Sequence, residues 1–518
     1  MSLITNGRLD RRGFLKTTAA GAIAASLPLG GAYASTPKKG GHLRVGKGHG
    51  QTTDTLNPGT WENGYTIAIT HAKDGHLTEV LADGSVGPLV AESWEASEDA
   101  KTWRFKIRNG ITFHSGKTLT PEDVVASINF HRGENAVSAA TPIVAPIQDI
   151  TIDGDTVVFA LDGGNADFPF ILSDYHLPIL PATDDGIDWK SGDGCGSYVL
   201  ETFKPGVTST LVRNENHWRK DVAWFDSIEM LSLTDQNART TALVSGDVDT
   251  VDKLDLKTIG LLSRNPDLDI SSVAGTQHFT FAMSANQAPY DDVNVRLAMK
   301  YAINREELVE KILFGYGSVG NDVPIGQGQQ FYNTELEQKT YDPDKAKFYL
   351  KEAGLDSLEV SLSAADAAFA GAVDAATLYQ NSAKAAGIDL KVVREPNDGY
   401  WSDVWMKKPF SAVYWGGRPV QDQMFSTAYT CGAEWNDGFW CNEKFDELLV
   451  QARAELDQDK RRQQYWELQE IVSTQGAIII PMFANYVFAT TKKIGKPETL
   501  ASNWDMDGER WAERWWFA

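Results

Sequence analysis

Two groups of residues in this chain imitate catalytic or metal-binding patterns without completing them. The stretch Gly41–Lys47 has the spacing of a phosphate-binding loop, but Gly48 stands where a Ser or Thr would hold Mg²⁺. His71 and His76 are five residues apart, which places them on different faces of a helix. We therefore expect no metal site and no cofactor, and the sequence assigns no catalytic residue.

Aromatic residues are concentrated between positions 400 and 440. Five of the 16 Trp residues fall there, together with three Tyr residues: Trp401, Trp405, Trp415, Trp435, Trp440, Tyr400, Tyr414 and Tyr429. Small-molecule pockets are lined mainly by apolar and aromatic side chains, with a few polar groups. The alternative is that these residues form the core of a domain.

The loop Gly416-Gly417-Arg418 favours the pocket. Two Gly residues allow a backbone to approach a ligand closely. Arg418 offers a planar pair of donors that suits a carboxylate or phosphate. A buried Arg needs an anion, so we expect Arg418 to anchor a ligand anion. The alternative is an internal ion pair with an acid such as Asp422.

The chain has three Cys residues. Cys431 and Cys441 are close in sequence and flank a stretch rich in turn residues, so we predict a disulfide between them. The alternative is a pair of free buried thiols. Cys195 is then left unpaired.

The second half of the chain alternates strand and helix patterns. Leu358, Val360 and Leu362 mark a strand, an Ala-rich helix covers about 370–386, and a further strand is predicted over Phe410–Trp415. This order is typical of a parallel α/β sheet, in which ligands bind beyond the carboxyl ends of the strands. The loop after Trp415 leaves such an end.

The N-terminus carries an export pattern. Arg11–Lys16 resembles the core of a twin-arginine signal and precedes an apolar run, Thr17–Gly31, and the small residues Ala32-Tyr33-Ala34. We predict a signal peptide over 1–34, cleaved near Ala34, and a periplasmic protein. The alternative, a membrane anchor, needs about 20 apolar residues, more than this run supplies.

Length and charge limit the class of protein. A chain of 518 residues exceeds a single core, so at least two lobes are expected. The net charge of −22 excludes a nucleic-acid partner, whose phosphates demand clustered Lys and Arg. We expect a monomer.

A family resemblance covers nearly the whole chain after residue 34. It is carried, in order, by Asp54–Pro58, Leu89–Trp94, Phe105–Gly116, Leu119–Val124, Val295–Arg305, Tyr341–Ala346 and Phe445–Leu449. The sequence resembles the peptide/opine/nickel family of ABC-importer solute-binding proteins, which includes dipeptide- and oligopeptide-binding proteins.

The resemblance implies an α/β fold with two lobes joined by hinge strands and a small extra domain inserted in lobe one. Lobe one is expected over 35–80, 186–275 and 484–518. The extra domain is expected over 81–185 and lobe two over 276–483. It also implies a ligand enclosed between the lobes and a membrane permease as partner.

One departure from the family changes the expected ligand. Peptide-binding members have an acidic residue three positions after the Trp that matches Trp415, and it holds the peptide amino group. Here that position is Arg418, so we expect a carboxylate-bearing or zwitterionic solute: a modified amino acid, an opine-like conjugate or a short peptide. Asp422 or Glu62 remain candidates for an amine. The full set of candidate ligand-binding residues is Trp61, Glu62, Tyr65, His278, Tyr400, Trp401, Trp415, Gly416, Gly417, Arg418 and Asp422.

Two other functions remain open at this stage. A secreted cofactor-dependent enzyme would suit twin-arginine export but lacks a catalytic constellation. A ligand-sensing protein that serves a chemoreceptor has the same sequence features as a transport protein.

Overall fold

The computed structural model describes residues 37–133, 136–397, 399–418 and 420–518. The predicted signal peptide and its cleavage site lie outside the described residues. No helix in these ranges is long and apolar enough to cross a membrane.

Two large mixed sheets define two lobes. The lobe-one sheet has seven strands, ordered across the sheet as Tyr198–Lys204, Thr208–Arg213, Ser227–Ser232, His42–Lys47, Thr250–Val251, Tyr486–Thr491 and Leu268–Val273. The lobe-two sheet has six, ordered as Gly317–Val319, Ile478–Ala484, His278–Met283, Phe410–Trp415, Leu358–Ala364 and Ile388–Arg394. The α/β class and the two-lobed fold expected from sequence are confirmed.

The chain crosses between these sheets twice. It leaves the lobe-one sheet at Val273 and enters the lobe-two sheet at His278, then leaves the latter at Ala484 and returns at Tyr486. The two crossings are adjacent, because the amide of Ala484 donates to the carbonyl oxygen of Gln277 at 2.9 Å. These short segments between strands form the hinge. The residue limits assigned above to each domain stay a prediction.

A separate four-stranded antiparallel sheet has its own core. Its strands are ordered Ala91–Ala96, Thr102–Ile107, Thr156–Leu161 and Ile147–Asp153. Phe105, Phe159 and Phe168 pack together at its centre. We call this part the small-sheet unit. Three two-stranded ribbons complete the described strands: Thr78–Val80 with Val86–Pro88, Ala182–Thr183 with Gly186–Ile187, and Ile494–Gly495 with Trp516–Phe517.

Helices cover both large sheets and one face of the small one. Those of lobe one are Gly64–Lys73, Gln236–Ser245, Ile259–Leu262, Asp505–Gly508 and Trp511–Arg514. Those of the small-sheet unit are Pro121–Asn129, Thr141–Val144 and Phe168–Ile171. Those of lobe two are Val293–Tyr301, Arg305–Lys311, Pro343–Glu352, Ala372–Ala383, Tyr400–Asp403, Gln421–Ala428, Glu443–Ala454 and Gln458–Gln475. Single 3₁₀ turns occupy Pro58–Thr60 and Lys384–Ala386.

Local sequence explains where these helices begin. Asp342 accepts hydrogen bonds from the backbone N–H groups of Asp344 and Lys345, and Pro343 occupies the first helical position. Thr120 and Asp123 form a capping box at the start of Pro121–Asn129.

Lobe two contains the parallel arrangement that the sequence predicts. Leu358–Ala364 pairs in parallel with Ile388–Arg394 and with Phe410–Trp415. The carboxyl ends of these strands therefore lie at one edge of the sheet. The disulfide between Cys431 and Cys441 is present, and Cys195 is a free, buried thiol, so both Cys predictions are confirmed.

Candidate functional site

The Gly416–Arg418 loop lies at the junction of the two lobes. Trp415, the last residue of its strand, is paired with His278, the first residue after the hinge crossing. Gly417 packs against the hinge so closely that an added Cβ would lie 1.6 Å from Thr276 Oγ1. A side chain at position 417 would thus push the loop off the hinge, whereas a Cβ at Gly416 would meet nothing closer than 3.9 Å.

Arg418 is a half-buried cation without a carboxylate partner. Within the described ranges, no acidic oxygen lies within 4.0 Å of its guanidinium. Its Nη1 contacts only the carbonyl oxygens of Gly416 and Gly417, both at 3.3 Å. Burial lowers the pKa of Arg418, against the opposing influence of Tyr175 and Asp174 across the junction. The side chain is therefore partly desolvated and has no close counter-ion among the described residues.

Asp422 is not the partner of Arg418. Its carboxylate accepts from Arg453 Nε at 2.9 Å, on the neighbouring helix of lobe two. Burial still raises the pKa of Asp422, although Arg453 opposes the shift. The alternative of an internal Arg418–Asp422 pair is therefore wrong, because Asp422 pairs with Arg453 within lobe two.

The lobe-one side of the junction is built around Trp61 and the turn Asp174–His176. Trp61 is buried, its indole N–H donates to Thr55 O at 2.9 Å, and its own carbonyl oxygen lies 2.8 Å from His176 Nε2. The other ring nitrogen of His176 lies 2.7 Å from Asp174 Oδ1. These bonds fix the turn that carries Tyr175.

Tyr175 and Trp504 are the aromatic residues on the lobe-one side of the junction, and their ring centroids are 5.7 Å apart. Glu62 is exposed. Burial raises the pKa of Tyr175, and the negative charges of Asp174 and Glu62 raise it further. Sequence reasoning missed Tyr175 and Trp504, because neither belongs to a periodic or motif-like stretch. The proximity of Tyr175 to Arg418 arises only when the lobes are folded together.

His278 is a neutral residue next to this site. It is fully buried, and burial lowers its pKa to about 4, with a smaller contribution from Arg418. Its Nδ1 lies 3.2 Å from Thr276 O and acts as the donor, which leaves Nε2 as an acceptor. Nε2 has no hydrogen-bond partner among the described residues.

Tyr65 and Tyr400 lie in the cores rather than at the junction. Tyr65 has no exposed surface, and its hydroxyl contacts Ser209 Oγ and Met230 O, both at 3.0 Å. Tyr400 is 1% exposed and donates to Ala412 O at 2.8 Å. Both hydroxyls contact buried groups of the protein, which does not favour a direct contact with a ligand. The assignment of these two residues to the ligand site stays a prediction.

The aromatic cluster divides into a buried and an exposed part. Trp415 is buried in the lobe-two core, and its indole N–H donates to Asp437 at 3.2 Å. Trp401 is 40% exposed on the other side of the same strand end, next to Tyr414. The interpretation as a domain core therefore holds for Trp415, whereas a ligand pocket lined by the other aromatic residues stays a prediction.

A second set of contacts joins the small-sheet unit to lobe two. Asp167 pairs with Arg461 at 2.5 Å, and both side chains are almost fully buried. The amide of Ala166 donates to the carbonyl oxygen of Arg453 at 2.7 Å. Phe170 packs with Val420 in a small apolar cluster. We call this set the interlobe contact.

We expect Asp167→Asn to favour an open arrangement of the protein. The substitution removes the charged partner of Arg461, and hydrogen bonds to charged groups contribute about 1.5–3 kcal/mol. The closed-to-open ratio should then fall about 10- to 100-fold, since 1.4 kcal/mol is a factor of ten. Small-angle X-ray scattering and fluorophores placed on the two lobes should report a larger, more open ligand-free protein.

Glu467→Gln is the matched control for this experiment. Glu467 lies on the same helix as Arg461 but pairs with Lys444 in an exposed ion pair, which contributes little. Identical scattering of Asp167→Asn and the unmodified protein would show that the ion pair does not hold the lobes together.

Solved structures share this architecture of two lobes. The structure of HbpA2 from Haemophilus parasuis matches with a TM-score of 0.80 at 20% identity, over 90% of this chain and 98% of that one. The binding protein AgaA from A. tumefaciens R10, solved in complex with agropinic acid, matches with a TM-score of 0.73 at 21% identity, over 92% and 99%. These similarities define the fold as that of a periplasmic binding protein.

Sequence comparison gives the family. The model for the middle region of the bacterial extracellular solute-binding proteins, family 5, matches residues 85–437. The chain belongs to this family and is a solute-binding protein. The di/tripeptide-binding protein 1 of Pseudomonas aeruginosa is 26% identical over 461 residues, which cover 80% of this chain and 84% of that protein.

Proposed function

We propose that this protein is exported to the periplasm, encloses a small carboxylate-bearing or zwitterionic solute between its lobes, and delivers it to an ABC permease. Membership of the family supports the transport role. Relatives whose names refer to di- and tripeptides and to agropinic acid support an amino-acid-derived solute.

The surroundings of Arg418 are the main support for a ligand that bears a carboxylate. Arg418 stands at the carboxyl end of a strand in lobe two, faces Tyr175 and Asp174 across the junction, and has no acidic oxygen within 4.0 Å among the described residues. An ammonium group would be repelled there. A carboxylate would receive two parallel hydrogen bonds from the guanidinium and would neutralise its charge.

The neighbouring groups suit the rest of such a solute. Tyr175 and Trp504 supply an aromatic surface. Closure of the hinge would bury the solute between these groups. Binding that favours the closed arrangement is the signal that a permease can read.

The ligand is expected to be retained during purification and to stabilise the protein. Native mass spectrometry of freshly purified protein should show an adduct, and its acidified extract should contain a molecule with a carboxyl group. Added back to unfolded and refolded protein at 100 times its dissociation constant, that molecule should stabilise the fold by about 2.7 kcal/mol. The methyl ester or amide of the same molecule is the matched control and should have little effect. An extract that contains only neutral or purely cationic molecules would contradict the proposal.

A further inference from the structure

Asp437 is a buried carboxylate that no cation neutralises. It is 4% exposed, and its Oδ2 accepts from the indole N–H groups of Trp405 at 3.1 Å and Trp415 at 3.2 Å. Its Oδ1 has no hydrogen-bond partner, and no Lys or Arg nitrogen lies within 4.0 Å, in the part of the chain that the structure describes. Such a charge is costly to bury without a partner.

An exposed group of aromatic rings lies in front of this carboxylate. Trp401, Trp405, Trp435 and Tyr414, which we call the aromatic patch, are joined by centroid distances of 5.9 Å (Trp401–Trp405), 6.4 Å (Trp405–Trp435) and 5.5 Å (Trp401–Tyr414). Trp401, Trp435 and Tyr414 are 40%, 45% and 42% exposed. Large aromatic side chains exposed together mark a binding surface.

The faces of these rings carry no cation from the protein. Lys and Arg side chains lie over Trp218, Tyr301, Phe331 and other rings elsewhere, but none of the described ones lies over a ring of the aromatic patch. The charged residues nearest in sequence are Lys407, Lys408, Asp403 and Glu434, all exposed.

Asp437 makes these rings better cation binders. An indole attracts a cation through the negative face of its ring. When the N–H of Trp405 donates to a carboxylate, the hydrogen bond polarises the indole and increases the electron density of its face. The charge of Asp437 also attracts the cation directly, through an interior of low polarity.

We propose that the aromatic patch binds an organic cation, an ammonium or guanidinium group, for which Asp437 is the counter-charge behind the rings. Trp415 donates to Asp437 and directly precedes the loop that carries Arg418. The two sites are therefore adjacent. If the proposed function is correct, one ligand spans both, with its carboxylate on Arg418 and its cationic group on the aromatic patch.

Choline and its neutral carbon isostere 3,3-dimethylbutan-1-ol are the probes that test this site. They have the same shape and differ in charge, so a cation site distinguishes them whereas an apolar surface does not. Titration of the full mature chain, followed by tryptophan fluorescence and by ligand NMR, should give a dissociation constant for choline about 5- to 30-fold lower than for the isostere. Equal binding of the two would show an apolar surface, and binding of neither would show that the aromatic patch is not a cation site.

Two substitutions separate the roles of the carboxylate and the rings. Asp437→Asn should weaken choline binding by about 5-fold or more, whereas Asp403→Asn, at an exposed acid beside the aromatic patch, should have little effect. Trp401→Leu keeps an apolar side chain at a partly exposed position but removes the ring, and it should also weaken choline binding. Unchanged choline binding in Asp437→Asn would show that Asp437 is not the counter-charge of the bound cation.

Arg418→Ala distinguishes this inference from the proposed function. It should keep choline binding within about twofold of the unmodified protein, because the aromatic patch is intact. Loss of choline binding in that variant would show a single site and would overturn the separate cation site. Its effect on the co-purified carboxylate tests the proposed function independently.

Discussion

Replacing Arg418 with alanine should weaken binding of the carboxylate-bearing ligand by about 2–5 kcal/mol, the usual effect of truncating one partner of a buried charge pair. The free energy of unfolding of the ligand-free protein should stay the same or rise. This follows because Arg418 has no acidic partner within 4.0 Å among the described residues, so its removal leaves no internal charge unpaired. Calorimetric titration and chemical denaturation of the same variant measure both quantities.

Arg453→Ala is the matched control, because the two Arg residues belong to neighbouring parts of lobe two and differ in their partners. Arg453 pairs with the buried carboxylate of Asp422 at 2.9 Å. Its loss should reduce the free energy of unfolding by about 1–3 kcal/mol, less than for a fully buried pair because Arg453 is partly exposed. A destabilised, normally binding Arg418→Ala protein would mean that Arg418 is structural.

Arg418→Lys distinguishes charge from geometry. A lysine keeps the positive charge but cannot offer two parallel donors. We therefore expect it to restore only part of the affinity that the alanine variant loses.

Lys47→Met should destabilise the protein by about 3–5 kcal/mol, the cost of breaking a buried ion pair by removing one partner. Lys47 is fully buried and contacts Asp252 at 2.8 Å and Glu509 at 2.7 Å. Burial alone would lower the pKa of Lys47, but these carboxylates raise it above its usual value. Without the ammonium, Asp252, Glu509 and the neighbouring Asp505 would share one buried site, in which the nearest described cation is Arg239, 3.8 Å from Asp252. Chemical denaturation measures the loss.

The loss of stability in Lys47→Met should also depend on pH, and the buried carboxyl groups determine whether it grows or shrinks as the pH rises. Burial raises the pKa of Glu509 to about 8 and that of Asp505 to about 6. Since the folded-state pKa values lie above the unfolded ones, Asp505 lowers stability as the pH rises from about 4 to 6, and Glu509 lowers it as the pH rises from about 4.5 to 8. Removal of Lys47 raises these pKa values further. The difference in stability between Lys47→Met and the unmodified protein should therefore be larger at pH 8.5 than at pH 5.

Lys300→Met is the control for this substitution, because Lys300 is also fully buried but has no acidic oxygen within 4.0 Å among the described residues. Its Nζ donates to the carbonyl oxygens of Ser473 at 2.9 Å and Gly476 at 2.8 Å, and burial lowers its pKa to about 7. The variant loses hydrogen bonds but leaves no carboxylate unpaired, so we expect a smaller loss of about 1–3 kcal/mol. Equal losses in the two variants would show that Lys47 acts only through its hydrogen bonds.

The sequence by itself determined the local elements and their order. Alternation at Leu358, Val360 and Leu362 identified a strand, since successive side chains of a strand point to opposite faces. Asp342 and Pro343 identified the start of a helix, because a cap acts within one turn. The ten-residue separation of Cys431 and Cys441, across a stretch rich in turn residues, favoured the disulfide over two free thiols. Each of these inferences depends on neighbours along the chain, which the sequence lists directly.

Only the tertiary structure decided which charged and polar groups meet. The sequence allowed an ion pair between Asp422 and Arg418. In the structure, two helices pack so that Asp422 pairs with Arg453 instead. Tyr65 was a candidate for the ligand, but its hydroxyl reaches Ser209, 144 residues away, in the lobe-one core. Neither Tyr175 nor Asp437 belongs to a sequence pattern. In the structure Tyr175 lies across the junction from Arg418, and Asp437 accepts a hydrogen bond from Trp415. Periodicity reports which side of an element is buried, but the partner of a buried polar group depends on how distant elements pack, and that leaves no pattern along the chain.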